Sequence, residues 1–335
     1  MRHFVVVGIL VILMSVFTFV GLNNAGLMPV EASAQAIPID RMWDQQVIAM
    51  SFLFALIVVP MFYSLVVFRR RKGDTTDAEH IEGNTKLEVT WTILPLFAVL
   101  AFAYLGGTSL AQTLRVDPDA MVVKVTGRQW SWSFEYPDYG VFSTELHVPK
   151  GKQIYLQMTS TDVIHSFWVP EFRLKQDLVP GRITQLHITP ILEGNWKVRC
   201  AELCGASHYS METPVIVSSQ AVFDEWMTEQ MALAAEAAAT PEGRGQALVN
   251  ANGCTACHSI DGAGGNIGPK WNGLFGSEVE LADGSTVEAD EAYLAESIKA
   301  PQAKIVAEYE TQLMPTYGFT DEQIADIVAY IKTLR

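Results

Sequence analysis

The segment from Cys200 to Met211 constrains this chain most, because it places two thiols, an imidazole and a thioether within reach of one point. The donors are Cys200, Cys204, His208 and Met211. Structural zinc sites usually show a tighter cysteine pair and no thioether, whereas thiolate and thioether ligands favour copper. Two cysteines fit two sulfur-bridged copper ions better than a single blue-copper centre. The segment therefore predicts an electron-transfer site, with a zinc site or a Cys200–Cys204 disulfide as the alternatives.

The same segment resembles the copper loop of cytochrome c oxidase subunit II, the family that carries the binuclear copper centre CuA. Segments 127–136, 162–170 and 174–182 resemble that family too, in the same motif order. The resemblance covers roughly residues 45–220 of the chain. It implies a cupredoxin-like Greek-key β-barrel whose loops at one end hold the copper.

Carried over position by position, the resemblance implies six copper ligands: His165, Cys200, the backbone carbonyl of Glu202, Cys204, His208 and Met211. The two thiolates would bridge the copper ions, each histidine would cap one ion, and the thioether would be a weak ligand. In this family the side chain matching Glu202 faces away from the copper and helps to bind magnesium at the contact with subunit I. Charge shared over two coppers and two sulfurs changes the geometry little with oxidation state, which suits rapid electron transfer.

A second redox motif, Cys254-Thr-Ala-Cys257-His258, lies downstream of the copper loop. C-x-x-C-H is typical of covalent haem attachment, in which the thiols bind the haem vinyl groups and the histidine is the proximal iron ligand. Segment 268–275 resembles the loop that packs on the haem in small cytochromes c. Met314 stands where that family has its distal ligand, before a predicted terminal amphipathic helix, and His/Met ligation raises the haem reduction potential. All four cysteines are then used, two at each centre.

Apolar stretches at 4–22, 47–68 and 89–110 precede these motifs. The second and third are each long enough to span a hydrocarbon core of roughly 30 Å as a helix. The basic run Arg69–Lys72 between them predicts a cytoplasmic loop, because positive charge is retained on that side. Everything after residue 111 is then expected outside, where haem is attached to C-x-x-C-H motifs.

The first apolar stretch allows two interpretations. It precedes small residues at 29–36 that resemble a signal-peptidase site, which favours a cleaved signal peptide. The stretch is longer than an ordinary signal core, which favours an extra membrane helix instead.

The resemblance also implies roles for Glu88 and Trp130. The glutamate matching Glu88 lies at the mouth of a proton channel into subunit I, and an acid at a membrane boundary is a proton-relay candidate; a carboxylate at a helix start also suits the helix dipole. The tryptophan matching Trp130 lies at the surface above the copper and accepts the electron from cytochrome c. In this chain Trp130 either faces the fused haem domain or has been replaced by another route.

Between Met121 and about Val217 the pattern changes to short alternating strands, at a spacing typical of a sandwich or barrel. His147 and His187 have no motif around them and are predicted to be structural. The alanine-rich segment that follows, before Thr240-Pro241, predicts a helix. Such a helix would be a semi-rigid tether that keeps the haem close to the copper.

The predicted organisation is therefore multi-domain. Its parts are a signal peptide or extra membrane helix (1–36), a transmembrane helical hairpin with a cytoplasmic loop (45–111), a cupredoxin-like CuA domain (112–220), a helical linker (221–241) and an all-α class I cytochrome c domain (242–335).

The chain is acidic, with a formal net charge of −14. From residue 241 onward it has 14 acidic and 6 basic residues, a net charge of −8. An acidic face would steer a basic electron donor, although it equally suits a surface that is merely soluble. Nucleic-acid binding is not supported.

These features predict the electron-accepting subunit of a cytochrome c oxidase. It would take electrons through haem c and pass them via CuA to subunit I, where oxygen reduction is coupled to proton pumping. The expected partners are subunit I, the other oxidase subunits and an external donor, either cytochrome c or a quinol–cytochrome c reductase type complex. The expected location is the bacterial inner membrane, with both redox domains on the periplasmic side. The alternatives are a nitric oxide reductase-like enzyme, a membrane-tethered electron carrier, and a zinc- or disulfide-stabilised binding module.

Overall fold

The computed structural model describes residues 1–77, 80–260, 267–311 and 314–334. The chain divides into two compact units, Met1–Val116 and Asp117–Arg335. The first unit is helical, and the second contains both segments that carry redox motifs.

The helical unit contains α1 (Arg2–Asn24), α2 (Ala36–Val67) and α3 (Thr85–Thr113). These helices, found among the described residues, are long and apolar enough to cross a membrane, and most of their apolar side chains are exposed. They coincide with the apolar stretches of the sequence, because a helix satisfies its own backbone hydrogen bonds in hydrocarbon. The first stretch is helical and packs against α2.

The strands of the β-domain in the second unit are β1 (Met121–Arg128), β2 (Ser131–Tyr136), β3 (Val141–Ser143), β4 (Leu146–Pro149), β5 (Ile154–Ser160), β6 (His165–Val169), β7 (Leu174–Leu178), β8 (Thr184–Ile188), β9 (Gly194–Cys200) and β10 (Glu212–Ser218). They form two sheets, with the strand orders β3-β2-β1-β5-β8 and β4-β10-β9-β6-β7. Side chains alternate between buried and partly exposed along β1 and β5, as expected for strands with one face on a core. The predicted cupredoxin-like β-domain is confirmed, and its strands form two five-stranded sheets.

The pairing of β6 with β9 sets the position of the copper loop. Phe167 of β6 is opposite Cys200 of β9 in this antiparallel pair. His165 at the start of β6 therefore lies beside Cys200 at the end of β9, although 35 positions separate them in the chain.

The linker helix α4 (Gln220–Ala238) is partly a component of the β-domain. Its first half buries Phe223 and Met227, and its Trp226 stacks on His147 with a ring separation of 3.9 Å. The alanine-rich second half is mostly exposed. Only that half fits the expected tether, and the prediction that His147 is structural agrees with its stacking.

The haem-motif region contains α5 (Pro241–Ala251), α6 (Glu291–Lys299) and α7 (Asp321–Ile331). Thr240 is the N-cap residue of α5, and its side chain caps the helix. Pro241 follows in the first turn. A hairpin of β11 (Glu278–Glu280) and β12 (Thr286–Glu288) accompanies these helices and was not anticipated from the sequence.

The crossing of α5 and α7 is unusually close. A Cβ built on Gly245 would lie 1.9 Å from the backbone oxygen of Asp326, so only glycine fits there. Next to it, Arg244 donates from Nε and Nη2 to the two carboxylate oxygens of Asp326, at 2.8 and 2.7 Å. The contact fixes the first and last helices of this region against each other.

Candidate functional site

The predicted copper ligands meet at the end of β9. Sγ of Cys200 lies 3.7 Å from Sγ of Cys204 and 3.8 Å from Nδ1 of His165. Sγ of Cys204 lies 3.6 Å from Nδ1 of His208 and 3.9 Å from Sδ of Met211. Both cysteines are free, so the disulfide alternative is wrong for this structure.

The backbone carbonyl of Glu202 also faces the thiols. Its oxygen lies 3.2 Å from Sγ of Cys200, whereas the Glu202 side chain is exposed. The carbonyl therefore faces the thiols, while the carboxylate is on the exposed side, as the resemblance implies.

Two hydrogen bonds to the backbone carbonyl of Met211 hold the copper loop in place. The backbone N–H of Cys200 donates to the carbonyl of Met211 at 3.0 Å, and the indole N–H of Trp132 donates to the same carbonyl at 3.4 Å. Trp132 is almost fully buried. The loop is thus closed at its two ends before any metal binds, which lowers the cost of ordering its donors.

Asp162 orients the ring of His165. The carboxylate Oδ1 lies 2.9 Å from Nε2 of His165, and Oδ2 accepts from the backbone N–H of Gln129 at 2.7 Å. Burial opposes protonation of His165, but the hydrogen bonds that the ring donates to Asp162 and Cys200, together with their charges, outweigh it and raise the pKa of His165 to about 9. A carboxylate behind a ligand histidine is a common arrangement at metal sites. Sequence analysis missed this role, although Asp162 stands three positions before His165.

The two thiols differ in acidity. Burial opposes ionisation of Cys200, but hydrogen bonds from His165 and the backbone outweigh it and lower the pKa of Cys200 to about 6. Burial, together with the neighbouring Cys200 thiolate, raises the pKa of Cys204. The surroundings therefore favour ionisation of Cys200 over that of Cys204.

The donor set fits copper. The ligand atoms of His165, Cys200 and Cys204 all lie within 4.8 Å of one another and are buried. Two thiols, imidazole nitrogens and a thioether are soft to intermediate donors, which suit copper better than hard cations.

A cavity of about 560 Å³ brings the predicted haem residues together. Cys254, Cys257, His258 and Met314 all line it. Nδ1 of His258 lies 2.7 Å from the carbonyl oxygen of Pro269, and the ring stacks on Trp271 at 4.6 Å. Because the backbone carbonyl can only accept, Nδ1 carries the proton and Nε2 is left free for a metal.

The backbone at Gly268 lies so close to the His258 ring that there is no room for a side chain at that position. A Cβ built on Gly268 would lie 2.9 Å from Cε1 of His258. The cavity, the paired thiols and the fixed histidine fit a covalently held haem. Residues of segment 268–275 contact the His258 ring, and their packing on a haem, which the resemblance implies, stays a prediction.

Trp130 lies between the cavity and the copper loop. It lines the cavity, and a Cβ built on Gly205 would meet its ring at 3.0 Å. The preceding residue, Gln129, donates from Nε2 to the carbonyl of Cys204 at 2.6 Å. Residues 129 and 130 thus contact the copper loop directly, and Trp130 faces the region of the fused domain.

Glu88 is engaged at the start of α3. Its carboxylate accepts from the backbone N–H of Asn84 at 3.2 Å, while the Asn84 side chain accepts from the N–H of Leu87 at 3.1 Å. This is a reciprocal helix cap. It accounts for an acid at this position by itself, and the proton-channel role stays a prediction.

Family models match three parts of the chain. Cytochrome C oxidase subunit II, transmembrane domain, matches residues 18–106, and the periplasmic domain of the same subunit matches residues 141–222. Cytochrome c matches residues 243–335.

Relatives extend over most of the chain. Cytochrome c oxidase subunit 2 of Alkalihalophilus pseudofirmus is 30% identical, over 86% of this chain and 85% of that protein. The subunit of the same name from Synechocystis sp. is 34% identical, over 65% of this chain and 82% of that protein. Among solved structures, the periplasmic domain of subunit II of cytochrome oxidase from Bradyrhizobium japonicum is 32% identical, with a TM-score of 0.33, and covers 34% of this chain and 96% of that chain.

Proposed function

The chain belongs to the cytochrome c oxidase subunit II family, with a CuA domain and a cytochrome c domain, and from that premise we propose how its residues carry electrons into the oxidase. It is a membrane protein with a periplasmic domain, and it works with the other subunits of a terminal oxidase. The proposal assigns the residues of each centre, the order of the centres and the external contacts.

We assign the copper ligands to the donors that meet at the end of β9: His165, Cys200, the carbonyl of Glu202, Cys204, His208 and Met211. The haem is assigned to Cys254 and Cys257, with His258 and Met314 as axial ligands. Bound copper and haem supply reversible one-electron chemistry. The protein holds the copper donors on two neighbouring strands of one sheet and on a closed loop, so that their positions change little between oxidation states.

The observation that carries the proposal is the position of Trp130 between the two ligand sets. Its ring contacts Gly205 of the copper loop and lines the cavity of the haem cysteines. We propose that electrons are accepted at the haem domain and leave through the copper loop, with Trp130 filling the space between them. A fused haem domain on this face would replace an external cytochrome at Trp130.

The external partners are proposed from charge and position. The haem-motif region is acidic, which suits a donor with a basic face, such as cytochrome c or a quinol–cytochrome c reductase type complex. Glu202 is proposed to share magnesium with subunit I, and Glu88 to lie at a proton-channel mouth. The proposed location is the bacterial inner membrane.

The test is spectroscopy of the full chain purified from membranes in its oxidase complex. We expect a reduced c-type haem band together with a mixed-valence copper EPR signal. Cys204→Ser should abolish the copper signal and leave the haem band, whereas Met314→Ala should keep haem attached but lower its reduction potential. A haem band with zinc in place of copper would overturn the copper assignment, and an unchanged potential in Met314→Ala would overturn the distal ligand.

A further inference from the structure

Arg128 is a residue of the β-domain that contacts the haem-motif region at two separate places. It ends β1, where its Nε donates to the Thr161 hydroxyl of the same domain at 3.0 Å. Its Nη1 donates to the hydroxyl of Tyr317 at 2.7 Å and also to the backbone carbonyl of Asn252. The guanidinium carbon lies 4.7 Å from the centre of the Tyr317 ring, within the range of a cation–π contact.

The two partners are close in sequence to the residues assigned to the two sides of the haem. Asn252 is two positions before Cys254, on the attachment side, and Tyr317 is three positions after Met314, on the distal side. Arg128 lines the same cavity as Cys254 and Met314. One side chain of the β-domain therefore joins both walls of the haem cavity.

A second contact brings the backbone at Gly253 close to the side chain of Ser131 in the β-domain. Gly253 has a φ of +63°, and a Cβ built on it would lie 2.7 Å from Oγ of Ser131. Ser131 begins β2, directly after Trp130. The residue before the first haem cysteine thus rests on the β1–β2 turn, and a side chain there would push the domains apart.

We propose that Arg128 is an interdomain positioning residue, which clamps the cytochrome domain onto the β1–β2 turn and holds the attachment loop and the Met314 loop together around the haem. The inference rests on the proposed function, since it requires haem in this cavity. It adds to that function that the cytochrome domain is docked in one fixed position on the β-domain. A domain held only by a tether would instead move relative to the copper site.

The charge of Arg128 adds a second consequence. The guanidinium lines the same cavity as Cys254 and Cys257, so its positive charge lies beside the haem attachment site. A fixed positive charge beside a redox centre favours its reduced form. Removing the charge should therefore lower the haem reduction potential, whereas a lysine should retain that effect.

The clamp differs from the surface that would receive an external donor. The partners that the described residues give Arg128 are a hydroxyl, a carbonyl and a phenol, all neutral. Contacts between a cation and neutral dipoles at a partly buried site are screened little by salt. Docking inside the chain should therefore persist at ionic strengths that weaken a charged encounter.

The experiment compares Arg128→Gln, Arg128→Lys and Lys124→Gln in the complete, haem- and copper-loaded oxidase. Lys124 is the matched control, because it lies on the same strand and carries the same charge but pairs with Glu135 of the β-domain. Three quantities are measured: amide hydrogen exchange of segments 250–253 and 314–319, the haem reduction potential, and the rate of electron transfer from haem to copper after rapid reduction.

For Arg128→Gln we expect amide hydrogen exchange in both segments to rise about tenfold, because hydrogen bonds to a charged group are lost. The haem reduction potential and the rate of electron transfer from haem to copper should both fall. Arg128→Lys should restore the potential but only part of the protection, because an ammonium lacks the planar fork that reaches several acceptors. Lys124→Gln should match the unaltered oxidase in hydrogen exchange, haem reduction potential and electron-transfer rate. Equal exchange and potential in Arg128→Gln and Lys124→Gln would overturn the proposal.

If Arg128→Gln fails to assemble, Tyr317→Phe decides the question from the other domain. It keeps the ring and removes only the hydroxyl, so exchange in segment 314–319 should still rise. Unchanged exchange in that variant overturns the clamp. Missing copper or haem signals in the unaltered chain would instead overturn the proposed function, which keeps the two failures distinct.

Discussion

Asp162 and His165 form a hydrogen-bonded pair in which Oδ1 of the carboxylate lies 2.9 Å from Nε2 of the imidazole. Nδ1 on the other side of the same ring faces Sγ of Cys200 at 3.8 Å. The carboxylate therefore accepts from Nε2 and fixes the ring orientation, so that Nδ1 is the ring atom that faces the two thiols.

We predict that Asp162→Asn weakens copper binding roughly 10–100-fold, the usual cost of removing a partner behind a ligand histidine. An amide keeps the shape but loses the charge that stabilises the proton on Nε2. Copper affinity is measured by competition with a chelator, and Asp138→Asn, an exposed aspartate in the β2–β3 turn, is the control. Equal affinities of the two variants would show that Asp162 is only a structural residue.

We predict that Gly205→Ala disturbs both the copper loop and Trp130. Gly205 has a φ of +122°, and an added Cβ would lie 2.9 Å from Nε2 of Gln129 and 3.0 Å from the Trp130 ring. The change should alter the copper EPR signal and slow electron transfer from haem to copper. Gly151→Ala shares a positive φ of +82° but has nothing within 4 Å, so it separates backbone strain from the contact. Identical spectra and rates in the two variants would contradict the role given to this contact.

We predict that Gly268→Ala displaces the proximal histidine while leaving haem attached. The added Cβ would meet Cε1 of His258 at 2.9 Å, and the hydrogen bond to Pro269 restricts how far the ring can move. The haem reduction potential and the spin state of the oxidised iron should therefore change. Gly318→Ala has open space around it and is the control. A Gly268→Ala spectrum equal to that of the control would show that the ring is not constrained there.

The clustering of the candidate copper and haem residues could be predicted from sequence because most of them lie within short segments. Cys200, Cys204, His208 and Met211 share one loop, and C-x-x-C-H is a single turn of chain. Because these residues are close in sequence, the local backbone largely determines the distances between their side chains. His165 required the resemblance, because only the pairing of β6 with β9 brings it to Cys200.

The contacts between domains could not be predicted in this way. Arg128 and Tyr317 are 189 positions apart, and their meeting depends on the shapes of two folded surfaces. The β11–β12 hairpin, by contrast, had an available signal: Asp283-Gly284 lies between two alternating segments, and Asp-Gly is a typical hairpin turn. The docking of the first half of α4 was also recognisable in principle, since Phe223, Trp226 and Met227 lie on one face of that helix.

The last prediction concerns the stability of the cytochrome domain. Gly245→Ala should destabilise it, because the new Cβ would lie 1.9 Å from the backbone oxygen of Asp326, and a backbone atom cannot move aside as a flexible side chain can. Overpacking of this kind costs about 1–3 kcal/mol, and each kcal/mol corresponds to roughly 4–8 °C in Tm for a domain of this size. Alanine has the better helix propensity, so a rise in stability is the result expected if α5 and α7 could separate freely.

The measurement is thermal unfolding followed at the haem absorption band, which isolates this domain from the β-domain, with the copper absorption recorded in parallel. Gly318→Ala serves as the control, because it adds the same methyl group where nothing lies within 4 Å. The haem transition of Gly245→Ala should fall well below that of the control while the copper transition stays in place. A haem transition at or above that of the control would contradict the close crossing of α5 and α7, and with it the geometry that places the Arg244–Asp326 pair beside this contact.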